Sequence, residues 1–288
     1  MLKNKIMVLA AATGVFATTA QAAELSLKPY RADANGFSVS SVIVSGEKEA
    51  VLIDAQFTQA DAYRVAADIL ASGKKLTTIF VSQGDPDFYF GLEALKKVFP
   101  DVKVYAKQST VDHIKKTLPK KIEVWGPKLG ANGPKNPILP EVFTQDAIDL
   151  EGQKLEIINL AENSEPSYVV SIPSLKAVVG GVVVFGDMHL WTADAQTKEA
   201  RQGWIKMLDK ITALKPAIVI PGHAMIESKS DVSQVAYTKN YLVTFESELA
   251  KAKDSASLIA AMKKKYPKAG GDSLLELGAK VNKGEMKW

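Results

Sequence analysis

The chain has 288 residues, 47% of them hydrophobic and 24% charged, with a formal net charge of +4 and no cysteine. This is the composition of a soluble globular protein with enough length for a full core, and it excludes disulfide staples, thiolate metal sites and thiol nucleophiles. The lysines are dispersed, with short clusters only at Lys115-Lys116, Lys120-Lys121 and Lys263 to Lys265 that read as solvated helix faces, so nucleic acid is not an implied partner.

In chain order, Lys3 and Lys5 precede an apolar stretch from Ile6 to about Phe16, followed by small residues ending in Ala20-Gln21-Ala22. This is the pattern of a signal peptide cleaved after Ala22, which places the protein in the periplasm or outside the cell. No later segment approaches the ~18 uninterrupted apolar residues of a membrane span. Residues 37–55 read as two strands around a Gly-Glu-Lys turn, a hairpin. Thr58 to Ser72 carries Ala62, Val65, Ala66, Ile69 and Leu70 at helical spacing and stops at Gly73. A strand over residues 76–82, a helix over 91–99, a strand over 102–106 and a helix from about Ser109 to Leu118 follow. Alternation of this kind implies α/β layers.

Residues 119–146 hold five prolines and three glycines, from Pro119 to Pro140, and regular structure is not expected there. This segment is either a surface crossing or a lid over a pocket. Four further strands, a helix from about Thr197 to Leu214, the strand ending at Pro221-Gly222-His223 and a long amphipathic helix complete a domain expected over residues 23–253. Residues 254–288 read as a helical appendage packed on it.

The informative stretch is Ser82-Gln83-Gly84-Asp85-Pro86-Asp87-Phe88-Tyr89-Phe90-Gly91, after an apolar strand and before a helix. It resembles the metal-binding loop of the metallo-β-lactamase fold superfamily, strand, then Thr/Ser-His-x-His-x-Asp-His-x-x-Gly, then helix. Three other segments are similar to the family's in the same order: the strand ending at Asp54, the strand pair ending at Gly180-Gly181, and the strand ending at His223. The resemblance implies a four-layer αβ/βα sandwich, two packed mixed β-sheets with helices outside, and hydrolytic metal chemistry in a cleft. In the family's register, however, Gln83, Asp85 and Phe88 stand at histidine positions, and Gly181 stands at the bridging aspartate. The third histidine falls within Ala161 to Ser164, with Glu162 the preferred match. Asp87 and His223 keep the family's residue types.

Zinc favours imidazole, thiolate and carboxylate donors, and a catalytic site needs about three protein ligands. Gln83, Phe88 and Gly181 supply none of these, which argues against a two-zinc centre. The remaining set, Asp85, Asp87, His223 and Glu162, is rich in oxygen and suits at most one divalent ion, manganese, iron or zinc. Asp87 is the expected catalytic group. Asp54, Gln83, Phe88, Gly181, Asp187 and His189 are expected to wall or support the pocket, with Asp54 holding the loop and His189 as a candidate extra imidazole. Asp-Pro-Asp is equally good turn chemistry without any metal. Two functions stay open: a hydrolase acting on an ester, lactone, amide or phosphoester through an altered metal site, or a non-catalytic member that binds a small molecule or a protein in the former cleft.

Overall fold

The computed structural model describes residues 24–162 and 165–288, so the expected signal peptide at residues 1–22 lies outside the described residues. The first half of the fold is β1 (Ser26–Arg31), β2 (Ser40–Ser45), β3 (Glu49–Ile53), α1 (Gln59–Ser72), β4 (Lys75–Val81), α2 (Pro86–Tyr89), α3 (Leu92–Val98), β5 (Lys103–Ala106), α4 (Gln108–Leu129) and β6 (Glu141–Val142). Its six strands form one sheet in sequence order. The second half is β7 (Ala147–Leu150), β8 (Gln153–Asn159), β9 (Tyr168–Ile172), β10 (Ala177–Val179), β11 (Phe185–Gly186), α5 (Lys198–Ala213), β12 (Ile218–Val219), β13 (His223–Ala224), α6 (Ser233–Lys251), α7 (Ser255–Lys265) and α8 (Asp272–Asn282). The second sheet runs β12-β10-β9-β8-β7, and β11 pairs with β13 in a short separate ladder.

Side-chain alternation stacks these elements into four layers. Val42, Val44, Val51, Ile53 and Phe80 of the first sheet meet Ile148, Leu155, Val170, Ile172 and Val179 of the second in one buried cluster. Their neighbours along the same strands, Ile43, Leu52, Ile79 and Val81, point the other way into a cluster with Val65 and Ile69 of α1 and Leu95 of α3. On the far side Val169 and Val178 pack with Trp204 and Leu208 of α5, Leu242 and Phe245 of α6, and Leu258, Leu274 and Leu275 of the last two helices. Helices α7 and α8 thus share the core of α5 and α6.

Local signals set several boundaries. The Thr58 hydroxyl caps α1 by accepting from the backbone of Asp61, and Gly73 ends it in the left-handed region. Thr197 caps α5 in the same way. The run over residues 177–185 does not form the single strand its apolar content predicts. It breaks at Gly180 and Gly181, both at positive φ, and resumes as β11 in a different ladder.

The expectation of irregular structure from residue 119 is corrected: α4 continues through Pro119 and Pro127 to Leu129. Each internal proline removes one helical hydrogen bond at a cost of about 3 kcal/mol or more. Tertiary contacts offset this. Trp125 packs edge-on against Phe37 and Phe57 at 5.2 and 5.5 Å between ring centroids, and Lys121 forms an ion pair with Asp85. The buried residues of α4, Thr110, Val111 and Ile114, all precede Pro119. Residues 119–129 therefore form an arm held by a few side chains. Trp125→Ala should cost about 1–3 kcal/mol in urea unfolding, and amide exchange should quicken over residues 119–132 while that of 108–114 stays slow.

Candidate active site

The site lies where the strand ends of both halves meet. Asp54 follows β3 in a left-handed backbone conformation, φ +63°, and its carboxylate faces Ser82 at the end of β4. Oδ1 accepts from the Ser82 backbone N–H at 2.8 Å, and the Ser82 hydroxyl lies 2.9 and 2.8 Å from the two carboxylate oxygens. That hydroxyl also accepts from the backbone N–H of Gly181 at 2.8 Å. Ser82 thus ties the first sheet to the glycine turn after β10.

Gly181 cannot carry a side chain in this arrangement. Its φ is +73°, and a Cβ would lie 2.4 Å from the carbonyl oxygen of Tyr168. The carbonyl of Gly181 in turn approaches Gly222 so closely that a Cβ there would sit 1.9 Å from it. Only two glycines allow this backbone crossing, and it delivers the next residue, His223, to the site.

His223 is buried and both ring nitrogens are engaged. Nδ1 donates to the carbonyl of Phe37 at 2.9 Å, which leaves Nε2 facing Asp87 Oδ2 at 3.3 Å. Phe185 stacks on one face of the imidazole at 5.2 Å, and Phe88 meets it edge-on at 5.5 Å. Asp87 sits in the first turn of α2 and is buried. Burial pushes its carboxyl up to about 6, with the charge of Asp85 adding to the rise and that of His223 opposing it. With Nδ1 donating to Phe37, Nε2 is the remaining ring nitrogen and faces the Asp87 carboxyl.

The other expected residues are distributed as follows. Asp85 caps the start of α2 without a side-chain cap bond, and its Oδ1 accepts from Lys121 Nζ at 2.7 Å. Lys121 also donates to the carbonyl of Gly84 at 3.0 Å. Gln83 turns its amide oxygen onto the backbone N–H of Gly84, 2.9 Å away. Glu162 is exposed and pairs with Lys210 of α5 at 3.1 Å. The neighbouring positions Asn163 and Ser164 lie outside the described residues. Asp187, at φ +50°, accepts from Gln234 of α6 at 3.1 Å. His189 is buried against α6, its Nδ1 2.8 Å from the Tyr241 hydroxyl. Its Nε2 is 3.7 Å from Asp272, and burial lowers its proton affinity. The structure brings Asp87 and His223 together with Phe88 as a wall. It does not bring Glu162 or His189 to them.

Three participants carried no signal in the sequence. Lys121 reads as one of a surface pair, Phe37 acts through its backbone carbonyl, and Phe185 reads as strand core. Ser82 stood in the loop motif, but its role depends on Gly181, 99 residues away.

The family model of the metallo-beta-lactamase superfamily matches residues 34–223, and this chain belongs to that superfamily, a family of hydrolase type. A search of curated proteins finds no match. Among solved structures, a metallo-beta-lactamase family protein from Thermus thermophilus aligns with TM-score 0.57 and 15% identity over 90% of this chain and 94% of its own. A metallo-beta-lactamase from Pontibacter korlensis aligns with TM-score 0.54 and 20% identity over 78% and 97%. The DIM-1 metallo-beta-lactamase exposed to ceftazidime aligns with TM-score 0.54 and 18% identity over 76% and 93%. These likenesses show the fold, the expected sandwich of two mixed sheets with helices outside.

The two-metal centre that the fold implies does not fit the residues present. Gly181 excludes a side chain, Phe88 is buried beside His223, and Asp85 is already neutralised by an ammonium. Among the described residues no group of three or more His, Asp or Glu side chains is placed to hold an ion.

Two measurements test this geometry. Gly181→Asp, the residue type that the sequence resemblance leads one to expect at this position, should destabilise the protein by about 2–4 kcal/mol in urea unfolding, because both the φ and the Tyr168 carbonyl oppose a Cβ. Burial also raises the Asp54 carboxyl to about 7, against the hydrogen bonds from Ser82. Asp54 and Asp87 thus hold protons more tightly folded than unfolded, where the ordinary value is 3.8. That contribution is full below the unfolded value and is lost as pH rises through about 6 to 7. The melting temperature should therefore fall between about pH 4 and about pH 7, and Asp54→Asn should flatten the fall.

Proposed function

We propose that this protein is a superfamily member that binds a small molecule at the former active site and does not perform two-metal hydrolysis. The observation that carries this reading is the pairing of every ionised group in the loop with another protein group: Asp87 with His223 at 3.3 Å and Asp85 with Lys121 at 2.7 Å. Backbone strain supports retained function there. Of the eight non-glycine residues at positive φ among the described residues, five, Phe37, Ser38, Asp54, Gln56 and Asp187, fall on the segments around the site, and such conformations, which cost about 1–3 kcal/mol each, cluster at functional sites. Buried polar atoms without partners add to this, namely the Tyr89 hydroxyl and the Gln56 amide oxygen. The N-terminal signal pattern supports a periplasmic or secreted location for the binding event.

A second reading, a hydrolase with one metal ion, is favoured by one distance. Two donors on a single tetrahedral ion with bonds near 2.0–2.1 Å stand about 3.3 Å apart, which matches the 3.3 Å between Asp87 Oδ2 and His223 Nε2.

Elemental mass spectrometry of protein purified without chelator, beside an Asp87→Ala, His223→Ala double variant, separates the two. The binding reading expects no metal above background in either protein, even after incubation with manganese, iron and zinc. It also expects no turnover of a panel of esters, lactones, β-lactams and phosphoesters. About one equivalent of metal in the wild type, absent from the variant, would overturn it in favour of the hydrolase.

A further inference from the structure

Two side chains one helical turn apart on the arm of α4, Lys121 and Trp125, face the body of the molecule together. Lys121 donates to Asp85 Oδ1 at 2.7 Å and to the Gly84 carbonyl at 3.0 Å. Trp125 lies edge-on to Phe37 and Phe57, with ring centroids 5.2 and 5.5 Å apart. An ammonium on a carboxylate and a carbonyl, with an aryl group beside it on two aromatic rings, are the contacts that a protein makes to an aromatic amine. Here the chain makes them to itself. The arm that carries the two groups is weakly held: α4 has no buried residue after Ile114, and Pro119 and Pro127 each remove a helical hydrogen bond. Beyond it the chain is tied down again by Asn132, which accepts from the backbone of Ala60 at 2.9 Å, and by Glu93, which accepts from the backbones of Lys135 and Asn136 at 2.6 and 3.1 Å. The stretch between Pro119 and Asn132 can therefore lift while both its ends stay attached.

We propose that Lys121 and Trp125 are the built-in occupants of a ligand site, and that the ligand which displaces them is an aromatic amine, an aryl ring joined by a short alkyl chain to an ammonium. This inference rests on the binding reading above and names the ligand class for it. Charge complementarity carries it. Lifting the arm uncovers one carboxylate, one carbonyl and two phenyl rings, a set that attracts a cation with an aryl face and repels an anion. The carboxylate is already within reach of solvent, since the side chain of Asp85 is 39% exposed. A ligand that lifts the arm must replace both contacts: its ammonium takes the place of Lys121 on Asp85 and Gly84, and its ring takes the place of the indole on Phe37 and Phe57. A neutral aromatic ligand would leave Asp85 without its counter-charge, and an aliphatic amine would leave the two phenyl rings to water. The site adjoins the former active site, because the Phe37 carbonyl accepts from His223 and Asp85 precedes Asp87 in the same loop. The closed arm competes with the ligand, so apparent affinity is lowered by the fraction of molecules in which the arm is open.

The probe is phenethylamine, with binding read by calorimetry and arm opening by amide exchange. Saturating the wild type should quicken exchange over residues 119–132 while that of 108–114 stays slow. The double variant Lys121→Ala, Trp125→Ala, which removes both built-in groups, should bind phenethylamine at least tenfold more tightly than wild type. To that variant N-acetylphenethylamine, which keeps the ring without the charge, and butylamine, which keeps the charge without the ring, should each bind at least tenfold more weakly. Adding Asp85→Asn should abolish the gain, and Lys120→Ala, at an exposed neighbour paired with Glu123, should behave as wild type. A cooperatively melting double variant that binds phenethylamine no more tightly than wild type, or binds the acetylated form equally well, would overturn the inference and leave the binding reading standing. Metal or turnover in the wild type would overturn the binding reading itself, and this inference with it. If the double variant does not melt cooperatively, Lys121→Met, which keeps Trp125 and removes the competing charge, is read by the same comparison. Unchanged exchange over residues 119–132 in the wild type at saturating phenethylamine would overturn the displacement of the arm by itself.

Discussion

The Ser82 hydroxyl is the joint on which the site depends. It accepts from the backbone of Gly181 at the end of the second sheet and lies against the carboxylate of Asp54 at the end of the first. For the joint to close, two backbones must pass within van der Waals contact at Gly181 and Gly222. That passage sets His223 Nε2 opposite Asp87 Oδ2 at 3.3 Å. The layers above and below are conventional packed apolar faces, and most single changes there would alter stability without moving the pair. Changes at the joint act on both.

The joint also explains why residue 181 carries no side chain. A residue at 181 with a Cβ would push against the Tyr168 carbonyl and leave the left-handed region. The glycine is thus a structural requirement of this crossing. The charged side chains of the loop pair with protein groups, Asp87 with His223 and Asp85 with Lys121. Phe88 and Phe185 then enclose His223 with aromatic rings, which lowers the local polarity and keeps the Asp87 carboxyl's proton affinity high.

The arm of α4 belongs to the same pairing. A helix that carries two internal prolines and has no buried residue beyond Pro119 is a poor candidate for order by itself. It is ordered by what it touches: Trp125 on Phe37 and Phe57, Ile122 and Leu129 on the first core, and Lys121 on the Gly84 carbonyl and the Asp85 carboxylate. Its attachment and the neutralisation of the loop are one set of contacts, so loss of either should be felt by the other.

Much of this was legible in the sequence. Period-two apolar runs gave the hairpin of β2 and β3 and the strands β4, β8 and β9, and helical spacing with Thr58, Thr197 and Gly73 as end signals gave α1 and α5. The order of four loop-proximal segments gave the fold. These are local properties, fixed by side-chain chemistry at known spacing. The length of α4 was not legible, because proline's local cost points to a break and only contacts with distant aromatics outweigh it. Nor was the partner of Asp85, which sits 36 residues from Lys121, or the separation of Glu162 and His189 from Asp87 and His223. Which charge faces which across a packed site depends on distances between segments remote in the chain, and only the tertiary structure decides those.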